Sequence, residues 1–114
     1  MIVVLLTYGD GKFLFTGDAE AISEAEILET ALPDCDVLKV GHHGSSTSSS
    51  ETFLTAASPE IAVISVGAGN SYGHPHTSTV KRLEECGAEI YRTDLYGSVI
   101  VSFDGETYTV TTEK

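Results

Sequence analysis

Asp18, His42, His43, His74 and His76 are the residues whose types suit metal or proton chemistry, and each stands just after an apolar run. Asp18 follows "FLFTG", His42 and His43 follow "LKVG", and His74 and His76 lie in the loop after "AVISVG". Carboxylate oxygen and neutral imidazole nitrogen suit zinc, manganese or iron, and imidazole also moves protons near neutral pH. Each residue has an ordinary role as well. An Asp after Gly is a common turn residue or helix N-cap, and "YGHP" can be no more than a rigid turn. In "HHGSS" the hydroxyls of Ser45 and Ser46, with the backbone N–H groups of a following helix, could hold a phosphate or another anion. The alternative is that the serines through Ser50 only shape a loop and cap a helix.

The elements that must position these residues follow from the apolar pattern. Residues 2–8 and 12–16 are β-rich and flank "GDG", which predicts a hairpin. Ala21, Ala25, Leu28 and Leu32 fall on one helical face, Ser23 and Glu26 have capping-box spacing, and Pro33 ends that helix. "DVLKVG" reads as a short buried strand with the histidines at its carboxyl end. Ser48 and Glu51 then offer a second capping box for a helix through Phe53, Leu54 and Ala57. "IAVISVG" is a third apolar strand, and Val80 and Leu83 mark a helix stopped by Gly87. "AEIYRT", "GSVIVSF" and "TYTVTT" close the chain as β segments, the last two turning at "DGE". Alternating strands and helices argue for an α/β layered sheet, mixed because of the hairpins. In such sheets ligands gather outside the carboxyl ends of the strands, so the Asp18, His42–His43 and His74–His76 clusters are expected to converge.

The totals narrow the function classes. With 114 residues the chain is one domain or a piece of one. Six Lys and Arg against seventeen Asp and Glu give a formal charge of −11, which supplies no cationic field for nucleic acid or an anionic membrane. Cys35 and Cys86 form no C-x-x-C pattern, so buried free thiols are expected rather than a disulfide framework or a thiolate zinc site. The opening "MIVVLLTYG" has no basic leader, is too short for a membrane span, and reads as a strand. No G-x-S-x-G elbow and no G-x-x-x-x-G-K-[ST] loop occurs, which argues against a serine acyl-transfer triad and a P-loop.

Taken in order, "FLFTGDAE", "DVLKVGHHGSSTSSS", "IAVISVGAGNSYGHPH" and "IYRTDLYGSVIV" resemble the second half of the metallo-β-lactamase-like hydrolase domain of the ComEC competence family, across nearly the whole chain. The resemblance implies half of an αββα sandwich, a mixed β-sheet with helices on one face, and residues 1–114 as a single partial domain. It implies a dinuclear centre of zinc or manganese, with Asp18 as the bridging carboxylate and His42 as the last ligand. His43 could take that ligand role instead, or act beside it in catalysis. His74 resembles the "YGHP" site histidine that contacts phosphate or assists proton transfer, and Ser45 and His76 are implied on the substrate side.

The same resemblance implies hydrolysis of a phosphodiester, DNA during uptake, in a parent protein of the bacterial membrane of which this piece is a soluble part. The family's leading cluster, His-x-His-x-Asp-His or His-x-Asp-x-Asp-His, is not in this sequence, and no histidine precedes residue 42. The expectation is therefore a chain that begins midway through the fold, with too few ligands for a catalytic metal and negligible turnover alone. Its partners would be the N-terminal half of the fold or a second copy in a homodimer. A catalytically silent α/β binding or self-association module is the alternative.

Overall fold

Gly9, at φ 57°, turns the chain back after β1 (Val4–Tyr8) and pairs that strand antiparallel with β2 (Gly11–Phe15), as the "GDG" signal implies. The structure is a computed structural model that describes residues 3–29, 34–71 and 73–114. After β2 come α1 (Ala21–Leu28), β3 (Val37–Lys39), α2 (Glu51–Ala57), β4 (Ile61–Ile64), α3 (Thr77–Glu85) and β5 (Glu89–Arg92). A one-turn α4 (Thr93–Tyr96), β6 (Val99–Phe103) and β7 (Tyr108–Thr112) follow. Strands β1 to β5 form one sheet in sequence order, antiparallel between β1 and β2 and parallel from β2 to β5. The fold is thus α/β with a mixed sheet, as expected.

The three successive crossovers between parallel strands carry α1, α2 and α3, which pack side by side over one face of this sheet. Register explains the core there: Leu14 pairs with Leu38, Leu38 with Ala62 and Ala62 with Ile90, so one row of side chains points at the helices. Phe53, Leu54 and Ala57 of α2 and Leu83 of α3 close over that row, all fully buried. Burying a side chain such as Leu14, Leu38 or Phe53 stabilises the fold by roughly 1.5–3 kcal/mol each.

The opposite face carries Leu6, Phe13, Phe15, Val37, Lys39 and Val63, and the β6–β7 hairpin, a separate two-stranded ladder, covers part of it. Phe103 stacks on Tyr108 at 4.4 Å, meets Tyr8 edge-on at 6.2 Å, and Tyr108 leans on Phe13 at 5.6 Å. The Tyr108 hydroxyl donates to Asp36 at 2.8 Å. Gly11 makes this contact possible, since a Cβ there would lie 2.5 Å from the Phe103 ring. Between the hairpin, which contributes Val99 and Val101, and this face an apolar groove of about 500 Å³ stays open.

Several expected details are corrected. Helix α1 begins at Ala21 with Glu20 as N-cap and no side-chain cap, so Ser23 and Glu26 lie inside it and make no capping box. Its inward face carries Glu24, Ile27 and Leu28, while Ala25 is exposed; the Ala21 side chain, Leu32 and Pro33 lie outside the described residues. Helix α2 is capped by Ser50, whose hydroxyl accepts from the Phe53 N–H, and not by Ser48. "IAVISVG" is extended only over Ile61–Ile64, and "TDLY" forms α4 where no helix was expected.

Candidate functional site

Because β2, β3 and β4 run parallel, the turns after them emerge at one end of the sheet. After β2, Ala19 N–H returns to the Thr16 carbonyl at 3.0 Å, and Gly17 takes a φ of 57°, which leaves Asp18 at an exposed tip. After β3, a 3-10 turn spans Gly41–Gly44. Two bonds lock the turns together: Thr16 Oγ1 donates to the Lys39 carbonyl at 2.9 Å, and the His42 N–H donates to the Gly17 carbonyl at 2.8 Å. Gly41 permits this approach, since a Cβ there would stand 2.9 Å from the Ala19 carbonyl oxygen.

The two histidines are held in an unusual backbone. His42 (φ 49°, ψ 44°) and His43 (φ 53°, ψ 26°) are both left-handed, which for non-glycine residues costs about 1–2 kcal/mol each. Their rings consequently diverge. His43 Nδ1 lies 2.6 Å from the Ser65 carbonyl, and since a carbonyl only accepts, Nδ1 carries a proton and Nε2 is the ring nitrogen left for another partner. His42 Nδ1 is shut off from solvent and faces Glu20 Oε1 at 3.4 Å, within ion-pair range but too long for a good hydrogen bond. The His42 ring meets that of His74 edge-on, with centroids 5.6 Å apart.

Asn70 fixes the loop that brings His74 there. Its side chain accepts from the His74 N–H at 3.1 Å and donates to the His74 carbonyl at 2.7 Å. The His76 N–H donates to the Gly44 carbonyl at 2.8 Å, joining this loop to the histidine turn. The exposed His76 ring is the N-cap of α3: Nδ1 accepts from the Ser78 N–H at 3.3 Å. Ser45 is buried, and its hydroxyl lies 3.0 Å from Thr47 Oγ1 and accepts from the Thr47 N–H at 3.3 Å, so it is used within the loop.

The three strand-end loops are therefore brought together, with His42 bonded to the Asp18 turn and touching His74. Two sequence positions sit apart in role, Ser45 turned inward and His76 on the helix cap. Asp18 offers carboxylate oxygen, and His43, with its opposite ring nitrogen tied to a carbonyl, has the posture of a metal-bound imidazole. The donors thus suit a divalent ion in kind. They do not in number, because among the described residues no group of three His, Cys, Asp or Glu side chains converges to hold one.

Electrostatics around the site is set by burial. Lys39, at the end of β3, has its pKa lowered by burial among the apolar groove residues, with Asp18 acting in the opposite direction. Glu20, Asn70, Glu24 and Arg82 also border the site, and none of them stands out as a site residue in the sequence. Only Asn70, in a Gly-rich loop two residues before "YGH", carried a turn signal that could have singled it out.

The metallo-beta-lactamase superfamily model matches residues 2–68. The chain is 43% identical over 101 residues to "Recombination protein 2" of Haemophilus influenzae, covering 89% of this chain and 13% of that protein. It is 37% identical over 100 residues to "ComE operon protein 3" of Bacillus subtilis, covering 86% and 13% respectively. To "Competence protein ComA" of Neisseria gonorrhoeae it is 39% identical over 99 residues, covering 85% and 14%. The chain thus spans only a small part of the length of these relatives, and the resemblance to the competence family is borne out.

Proposed function

This chain belongs to the metallo-beta-lactamase superfamily, and from that premise we propose that it is part of a metal-dependent hydrolase domain that cleaves phosphodiester bonds of DNA during competence-linked uptake. The observation that carries this reading is the junction of three loops, in which His42 is bonded to the Gly17 carbonyl beside Asp18 and lies edge-on to His74. Zinc or manganese, when bound, would supply Lewis acidity toward a phosphoryl oxygen. Asp18 and His42 are the proposed ligands from this chain, with His43 the alternative to His42. To His74 we assign contact with the substrate and delivery of a proton to the leaving oxygen, and to His43 a supporting role in proton transfer. Ser45 shapes the anion side through its loop, and His76 borders it from the start of α3.

The acidic balance of the chain opposes DNA, so the metals and the rest of a longer protein must supply positive charge. We assign the missing ligands to an N-terminal half of the fold, and negligible turnover to the chain alone. The parent is proposed to be membrane-bound; among the described residues, no helix is long and apolar enough to cross a membrane. The test is DNA hydrolysis by the longer parent protein with zinc or manganese, beside this chain alone. His74→Ala in the parent should lower turnover by about 100-fold or more, and Asp18→Ala or His42→Ala should abolish it together with bound metal. Undiminished turnover with all three substitutions combined would refute the reading.

A second reading, a silent self-associating module, is favoured by the open apolar groove between the β6–β7 hairpin and the sheet. Light scattering separates the two: a dimer that survives Asp18→Ala, His42→Ala and His74→Ala together supports the module.

A further inference from the structure

Between the histidine turn and α2 the chain runs through "SSTSSS", a stretch whose composition promises little order. In the structure it is gripped from both sides. Glu24, on the inward face of α1 and 1% exposed, places both carboxylate oxygens on it: Oε2 accepts from the Ser49 N–H at 2.5 Å and Oε1 from the Ser50 N–H at 2.9 Å. From α3, the Arg82 guanidinium donates through Nε to the Ser49 carbonyl at 2.9 Å and through Nη2 to the Ser48 carbonyl at 3.1 Å. One residue, Ser49, thus has its N–H taken by an anion and its carbonyl by a cation. It is itself left-handed, at φ 55°.

The grip reaches the histidines through the Ser48 side chain, beside the backbone bond from the Ser45 N–H to the His42 carbonyl at 2.9 Å. Ser48 Oγ is buried and shares its proton between the Gly41 carbonyl, immediately before His42, at 2.9 Å and the Ser45 carbonyl at 3.0 Å. Helix capping does not account for the arrangement, since Ser50 caps α2 with its own side chain. A buried carboxylate and a guanidinium bound to one backbone segment hold it far more firmly than neutral groups would. Consecutive left-handed histidines need such a hold, because any residue with a Cβ pays in energy to adopt that backbone.

We infer that Glu24 and Arg82 are positioning residues for the site: they clamp residues 48–50 and, through Ser48, set the backbone from which His42 and His43 project. The inference rests on the proposed function only in taking those histidines as site residues. Its chemistry is that of a preorganised support, with neither residue touching substrate.

The experiment is imidazole nitrogen NMR on the whole chain, comparing wild type with Glu24→Gln, Arg82→Met, Arg82→Lys and Ser48→Ala. In wild type, His43 should show one tautomer, protonated at Nδ1, and His42 a ring-current shift from His74. In Glu24→Gln and Arg82→Met, the His43 signal should move to a mixture of tautomers and the His42 shift should be lost, with the circular dichroism of the sheet and helices retained. Arg82→Lys, which keeps the charge without the fork, should restore the pattern only in part. Ser48→Ala removes one hydroxyl, leaves the clamp itself intact and should still release the histidines. That variant decides the matter if the charged-residue variants fail to fold. Wild-type histidine signals in folded Ser48→Ala would overturn the inference, as would wild-type signals in either folded clamp variant. Because the readout is spectroscopic, an inactive parent protein would sink the hydrolase reading and leave this result standing.

Discussion

Ser50 closes the first turn of α2 by accepting from the Phe53 N–H at 3.3 Å, which satisfies one of the orphan donors at that helix start. Ser50→Ala should therefore cost about 1 kcal/mol in a urea denaturation, without disturbing the histidine signals that Ser48 governs. The spacing of Ser48 to Glu51 fits a capping box as well as any, and neighbouring serines cannot be ranked by spacing. What decides between them is the Gly41 carbonyl seven residues back, which recruits Ser48 for another task. The same limit hid Glu24: its partners are backbone N–H groups 25 and 26 residues away, and no local pattern announces a buried carboxylate. His42 and Asp18 were legible because a polar residue at the end of an apolar strand stands out, and the His42–His74 contact follows from parallel strands ending together.

Among the elements, the short turn between β3 and α2 carries a tight packing constraint. Gly44 sits at φ 80°, and a Cβ there would meet Pro75 Cβ at 2.6 Å. Gly44→Ala should lower stability by more than about 1 kcal/mol, from backbone strain and overpacking together. It should also separate the His74 loop from the histidine turn, read as loss of the His42–His74 ring-current shift. The order of strands and helices was legible, because runs of Val, Ile and Leu mark β2, β3 and β4 plainly. Their ends were not: β4 stops at Ile64, after which Val66 exchanges hydrogen bonds with the Thr93 side chain at 2.8 and 2.9 Å. The inward face of α1 was misplaced for a related reason, since Ala25, on the expected apolar stripe, is exposed while Glu24 points inward.

At the scale of the whole molecule, two acids are held protonated by the fold. The Cys35 thiol is pushed up from 9.0 to about 12 by burial, with Asp36 and Asp34 adding to it. The Tyr108 hydroxyl is pushed up from 10.0 to about 12 by burial and by its bond to Asp36. Both favour folding while protonated, so their stabilisation is complete below the unfolded values and is lost as pH rises through about 9 to about 12. Stability should fall across that range, and Cys35→Ala with Tyr108→Phe should flatten the fall in denaturant midpoints. Lys39 acts the other way, as a cation that burial disfavours, so Lys39→Met should raise the midpoint near neutral pH. The β6–β7 hairpin shares no ladder with the main sheet and rests on it through Tyr8, Phe13, Phe103 and Tyr108 and the bond to Asp36. It can breathe off while the five strands stay paired, and its amides should exchange with deuterium well before those of β3 and β4. Each such opening uncovers aromatic surface next to an already exposed apolar edge, so concentrated samples should clump through this partly open form, at temperatures where the core is still intact.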